Sequence, residues 1–453
     1  MRRRVFLSSV VFLVWGLVVV GGSIGAEPSW QAGLAKAKIT PEAGLWMAGY
    51  AARDHGAEGT MHDLWIKALA LSDADGKKAV LVSLDLLGLP GAMYENVCSK
   101  IKERCGLDRA DVMFCCSHTH SGPVLSEALL DIYPLDDQQI ARIEKYSAEL
   151  ESKLVDTVAK ALEKMEPVEL AVGSSSTTFG ANRRGLRTGA TGATAPVDKF
   201  VPVVAVRSEQ GDLRAVVFGY ACHATTLSDY EWNGDYPGFT QLAVEERFPG
   251  AQAMFVAGCG ADQNPNPRRT VELCRQHGLA LADAVCQALE EPMEPISPEL
   301  ATVIELIDLP FGEQPTDEYL EKTAQGSDYA ARWARRLLKQ KQAGQPFVKS
   351  YPAYPVQVWQ LGDFRLIALG GEVVVDYVLK LREQLGPNTW VAGYSNDVMA
   401  YIPSARVRAE GGYEAGAFSV YGLPAMSWGA DIEDRILAAA EKLSRQVEPV
   451  GVK

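Results

Sequence analysis

The chain has 453 residues and a formal net charge of −13, with 47% hydrophobic and 22% charged residues. That is the composition of a packed globular enzyme rather than a disordered or fibrous chain. The acidic balance argues against nucleic acid or anionic lipid head groups as partners, since both favour basic faces.

At the start, Arg2, Arg3 and Arg4 precede an apolar run from Val5 to Val20, and small residues follow from Gly21 to Ala26. Residues 1–26 therefore read as a signal peptide cleaved near Gly25 or Ala26, which implies export to a periplasmic or secreted location. An uncleaved N-terminal anchor is the alternative, because the run is slightly long for a signal core. No later stretch approaches the ~18 apolar residues of a spanning helix. About 425 residues then remain, enough for one large domain or two to three ordinary ones.

Short apolar runs that read as buried strands extend from Ala79 to Leu84, Val112 to Cys116, Val201 to Val206, Ala215 to Cys222, and Ala253 to Ala257. Others cover Thr302 to Ile307, Val356 to Gln360, Phe364 to Leu369 and Thr389 to Gly393. Helical periodicity spans Met93 to Cys105, Gln138 to Met165, Thr270 to Leu289 and Tyr377 to Leu385. A charged, Gln-rich stretch from Thr316 to Gln342 reads as one more helical segment on the outside. The alternation predicts an α/β fold, a mixed β-sheet core covered by helices. The eight cysteines include no C-x-x-C pair and read mostly as small buried hydrophobes, not as a zinc site.

Polar residues recur just beyond the predicted strands: Asp85, His118 with His120, His223, Asp262 with Asn264, Glu372 and Asn396. Ligands of open α/β sheets bind beyond the carboxyl ends of strands, so these six ends are expected to converge on one site. Only six histidines exist, and three of them stand at these ends. In extended chain, His118-x-His120 would set two imidazoles on one face. With His223 and a carboxylate they would make a nitrogen and oxygen donor set suited to zinc rather than to calcium or magnesium. His277, inside a helical pattern, and His55, in a polar loop, read as ordinary; His62 is a candidate to support the site from behind. A barrel amidohydrolase would need more histidines, and the one Gly-x-Ser-x-Gly match, Gly21 to Gly25, falls in the segment read as a signal, so no elbow supports a serine hydrolase.

The segment Ser117-His118-Thr119-His120-Ser121-Gly122-Pro123 resembles the Thr-His-Thr-His-Ser-Gly-Pro element of the neutral, non-lysosomal ceramidases. Met47-Ala48-Gly49-Tyr50, Asn182-Arg183-Arg184, Cys222-His223-Ala224-Thr225, Gly371-Glu372, Ser395-Asn396 through Tyr401, and Tyr413-Glu414-Ala415-Gly416 resemble further elements of that family in the same order. The resemblance implies a zinc-dependent amidase of linear N-acyl amides, with residues 27–453 as a single catalytic domain and the family's C-terminal immunoglobulin-like domain absent. It implies His118, His223, Glu372 and Tyr401 as zinc ligands, with His120, Arg183 and Tyr413 around the scissile amide. The implied substrate is a small-molecule or lipid acyl amide, with peripheral membrane contact for the lipid case. Where the family carries a catalytic serine, this chain has Asn264. An amide is no nucleophile but can donate a hydrogen bond to an oxyanion, so water activated by the metal is the expected route. The alternative is a metal- or ligand-binding relative without catalysis.

Overall fold

A computed structural model describes residues 29–129, 131–189 and 195–448. The segment read as an export signal lies outside the described residues. Among those described, no helix is long and apolar enough to cross a membrane.

Four layers stack as helix, sheet, sheet, helix. The large sheet runs Gln252–Ala257, Leu213–Tyr220, Phe200–Ser208, Glu166–Ser176, Trp30–Lys38, Trp65–Ser72, Lys78–Leu84 and Val112–Cys116 from edge to edge. Only its two outermost pairs are parallel. The second sheet orders Leu300–Pro310, Ser350–Leu361, Phe364–Leu369 and Trp390–Ala392. Strand alternation sorts the core. Val80, Val82 and Leu84 face helices Gly91–Cys105 and Asp137–Glu163, whereas Ala79 and Leu81 face Trp359, Leu366 and Trp390 of the second sheet. Helices Asp376–Leu385 and Ile432–Val447 cover the far side of the second sheet. The α/β fold with mixed sheets is thus as expected from sequence.

Local signals explain several boundaries. The side chain of Asp136 accepts from Gln139 N at the start of Asp137–Glu163, and the side chain of Thr270 accepts from Leu273 N at the start of Val271–Glu290. Gly106, in the left-handed conformation, ends the helix Gly91–Cys105. The stretch from Thr316 to Gln342 is two helices, Asp317–Ala324 and Tyr329–Gln342, not one. Asp328 caps the second, which buries Trp333 and Leu337 with Leu320 in a small core of its own. All eight cysteines are free, and all but Cys105 are buried.

What positions the site is the way the large sheet curls. Lys67 Nζ and Ser83 Oγ, on central strands, donate to the carbonyls of Ala253 and Phe255 on an edge strand, at 2.8 and 2.6 Å. Segment 392–396 threads between the two edges, bridging Gly258 on one side and Cys115 on the other. The carboxyl ends of strands Val112–Cys116, Gln252–Ala257 and Trp390–Ala392 therefore open onto one place.

Candidate metal centre and its cleft

His118 leaves the end of Val112–Cys116 with φ 57°. The segment is therefore not the extended His-x-His expected from sequence. A side chain in the left-handed region costs about 1–2 kcal/mol, and such strain collects at functional sites. The turn still brings the imidazoles of His118 and His120 within 5.0 Å, centroid to centroid. The chain around them is pinned: Thr119 Oγ1 donates to Asn233 O at 2.8 Å, and Asn233 N donates to Ser121 O at 3.3 Å. His62 Nε2 in turn accepts from Gly234 N at 2.8 Å, so it supports the site only through that turn.

His118 Nδ1 lies 2.6 Å from Leu87 O, and His223 Nδ1 lies 2.9 Å from Gly260 O. A carbonyl only accepts, so both rings carry their proton on Nδ1 and expose an Nε2 lone pair. Those two Nε2 atoms lie 3.2 and 3.0 Å from one oxygen, Glu372 Oε2. That carboxylate oxygen is buried and has no hydrogen-bonding partner. Burial pushes the His223 imidazole down to about 4, so it is neutral at pH 7, as a ligand must be. Three acceptors facing one another across a buried point are repulsive without a cation, and they fit a metal ion.

Tyr401 Oη stands 3.5 Å from His223 Nε2, and Tyr421 Oη donates to Glu372 Oε1, fixing the carboxylate from behind. His118, His120 and His223 together can hold a metal ion, their candidate ligand atoms lying within 4.8 Å of one another. Two donor sets therefore compete, this triad and the pair with Glu372. The second has the tighter geometry, since His120 lacks the Nδ1 carbonyl that fixes the other two rings.

His120 is placed by other means. Arg53 Nη2 donates to its carbonyl at 2.9 Å, and its ring packs 4.8 Å from that of Tyr50. Gly49 has φ 100°, and a Cβ there would lie 2.5 Å from the His120 ring. Only glycine admits that approach. Burial, then the neighbouring His118 and His223, holds the His120 imidazole well below its ordinary value.

Arg183 opens a short helix, Arg183–Thr188, capped by Asn182. Its Nε donates to Glu414 Oε1 at 2.7 Å, while its Nη2 is buried without a partner. The guanidinium lies 5.5 Å over the Tyr401 ring and 5.7 Å over that of Tyr413. Glu414 also receives Arg184 and Arg187. Asn264 sits on strand Gln263–Pro265, its Oδ1 accepting from Thr225 Oγ1 at 3.4 Å. His120, Arg183, Asn264, Tyr401 and Tyr413 all line one cleft of about 390 Å³.

Not every strand-end residue joins the site. Asp85 accepts from Trp65 N and Gln241, Asp262 accepts from Asn182 and Val375 N, and Asn396 bridges Phe114 N and Gln357. These three clamp loops instead. His277 is buried rather than superficial: its Nε2 meets Pro267 O at 2.7 Å and its ring stacks on Phe179. His55 is exposed beside Asp54 and stacked on Tyr230. Sequence reasoning missed Arg53, Tyr394 and Tyr421. Arg53 and Tyr394, whose Oη lies 3.3 Å from His223 Nδ1, lie close beside the segments Met47 to Tyr50 and Ser395-Asn396, which could have pointed to them, whereas Tyr421 comes from a segment without such a signal.

The profile described as neutral/alkaline non-lysosomal ceramidase, N-terminal, matches residues 30–300. Among solved structures, the neutral ceramidase of Pseudomonas aeruginosa superposes with a TM-score of 0.73 at 19% identity, covering 94% of this chain and 76% of that one. A ceramidase complexed with C2 gives the same TM-score and identity, with 94% and 77% covered. At that identity the likeness to both is one of fold. No curated protein gives a significant match.

Proposed function

Because the chain belongs to the neutral/alkaline non-lysosomal ceramidase family, we propose that it is an exported, zinc-dependent hydrolase that cleaves N-acyl amides with water. The observation that carries this reading is the convergence of His118 Nε2, His223 Nε2 and the unpartnered Glu372 Oε2. Two imidazoles, a carboxylate and the nearby Tyr401 phenol form a donor set that suits zinc. When bound there, zinc supplies a Lewis acid and ionises water near neutral pH.

The chain's own residues do the rest. Arg183 offers its free Nη2 to the carbonyl oxygen of a bound amide and is held by Glu414 while it does so. Asn264, in place of the family serine, donates its amide N–H to the same developing charge. His120, neutral and facing the cleft, takes the proton released by water and returns it to the leaving amine. Tyr413, exposed at the rim of the same cleft, flanks the bound amide. No covalent ester is needed. Export rests on residues 1–26 alone.

The test is to assay purified, zinc-loaded protein against a panel of N-acyl amides and esters that includes ceramide. Release of free acid from an amide is expected. Stoichiometric zinc with no hydrolysis of any acyl compound would instead favour a silent metal-binding relative, the reading that Asn264 leaves open.

A further inference from the structure

The cleft is ringed by cations. Besides Arg183, its lining includes Arg187, Arg268 and Arg269, and none of its lining residues is acidic. This occurs in a chain with a net charge of −13, so the positive patch is local and deliberate in placement rather than a by-product of composition.

The charge is only partly compensated. Arg183, Arg184 and Arg187 share Glu414, with Glu410 as a further partner of Arg184. Arg268 is half-buried and makes no hydrogen bond or ion pair among the described residues. Burial, then the like charges of Arg269 and Arg183, disfavour its guanidinium cation. Arg269 lies beside it with φ 96°, its Nη1 donating to Tyr50 Oη at 3.2 Å and its guanidinium 5.2 Å over that ring. Tyr50 is thus a fixed post that holds Arg269 at the rim, since its own hydroxyl is committed to Leu227 O at 2.7 Å. Arg268, without an ion pair among the described residues, and Arg269, held by Tyr50, thus both present guanidinium donors to the cleft. The buried, unpartnered Nη2 of Arg183 lines the same cleft.

We propose that this cleft selects acyl amides that carry a carboxylate within a few bonds of the scissile carbonyl, with Arg268 and Arg269 as the anion-binding pair. This rests on the hydrolase reading above and narrows its substrate class. A cleft of about 390 Å³ has room for the amide, a short acyl chain and the carboxylate. The bidentate fork of arginine matches a carboxylate in geometry as well as charge.

The test compares N-hexanoylglycine with its neutral isostere N-isobutylhexanamide, both releasing hexanoate. Wild-type protein is expected to favour the anion in kcat/KM by roughly 10- to 100-fold, mostly through KM and less so at high salt. In an Arg268→Gln/Arg269→Gln variant, shown to be folded by unchanged zinc content and melting temperature, that ratio should collapse towards one. Equal rates for the two amides in wild type, or a variant that loses both equally, would overturn the inference while leaving the hydrolase reading intact. If neither amide is hydrolysed, calorimetric binding to the metal-free protein decides. Tighter binding of N-hexanoylglycine that is lost in the variant keeps the inference, and the hydrolase reading is then decided by the wider acyl panel above; no difference between the two compounds sinks the inference.

Discussion

His118 and His223 present Nε2 to the same atom, Glu372 Oε2, at 3.2 and 3.0 Å, and each is oriented by a backbone carbonyl on its other nitrogen. A ring locked in this way has one tautomer and one direction of approach. The relationship assigns metal binding to specific residues. His118→Ala and His223→Ala should each lower zinc affinity by more than about 100-fold, because they remove a ligand rather than its support. His277→Ala, whose ring is engaged with Pro267 and Phe179, should keep its zinc. His120→Ala separates the two competing donor sets: zinc retained with activity lost supports the pair with Glu372, and zinc lost supports the three-histidine set. Metal content after dialysis reads all four.

Gly49 is a stringent probe of how His120 is placed. A methyl at residue 49 would sit 2.5 Å from the imidazole, and φ 100° already disfavours any side chain. Gly49→Ala should therefore displace the His120 ring and lower kcat by about 100-fold, as misplacement by ~1 Å does, with zinc content unchanged. Equal activity of variant and wild type would show that His120 moves no proton.

Asn264 carries the departure from the family pattern. If its amide donates to the developing oxyanion, Asn264→Ala should reduce kcat about 100-fold with little change in KM. Asn264→Asp should be worse than alanine, since a carboxylate repels the same charge. A drop in KM affinity with kcat intact would make Asn264 a binding residue only.

Glu414 links the site to acid stability. Burial raises its carboxyl most, but Arg183 beside it and the bonds from Arg183 and Arg184 outweigh that and hold it at about 2. A carboxylate lowered in the fold contributes stability above its unfolded value of 4.5, and that contribution is lost as pH falls from 4.5 towards 2. The gap in melting temperature between wild type and Glu414→Gln should be widest at pH 6 and narrow over that interval. A gap independent of pH would deny the ion pairs that role.

Much of this was legible in the sequence, and the limits have physical causes. Val112–Cys116 shows as an uninterrupted apolar run, and Phe364–Leu369 as one broken only by Arg365, because both faces of each strand are largely covered. Trp65–Ser72 escaped notice: Ala68, Leu69, Ala70 and Leu71 favour helix, and antiparallel pairing on both sides overrides them. Its Lys67 also reads as surface but is buried, paired with Glu245 and the Ala253 carbonyl. Glu166–Ser176 was hidden by its polar, half-exposed residues. At the site, strand-end position singled out His118, His223 and Glu372 correctly as neighbours, yet Asp85, Asp262 and Asn396 share that position and serve loops. Position along a strand does not say which way a side chain turns. Tyr421, which fixes Glu372, lies 49 residues further along the chain, in a segment without any motif.

The most direct test of a metal-dependent hydrolase is a single rate followed through chelation and reloading. Hydrolysis of an N-acyl amide should fall to background when zinc is removed and return as one equivalent is restored, while His118→Ala stays inactive throughout. Undiminished hydrolysis by the metal-free protein would contradict the account at its centre.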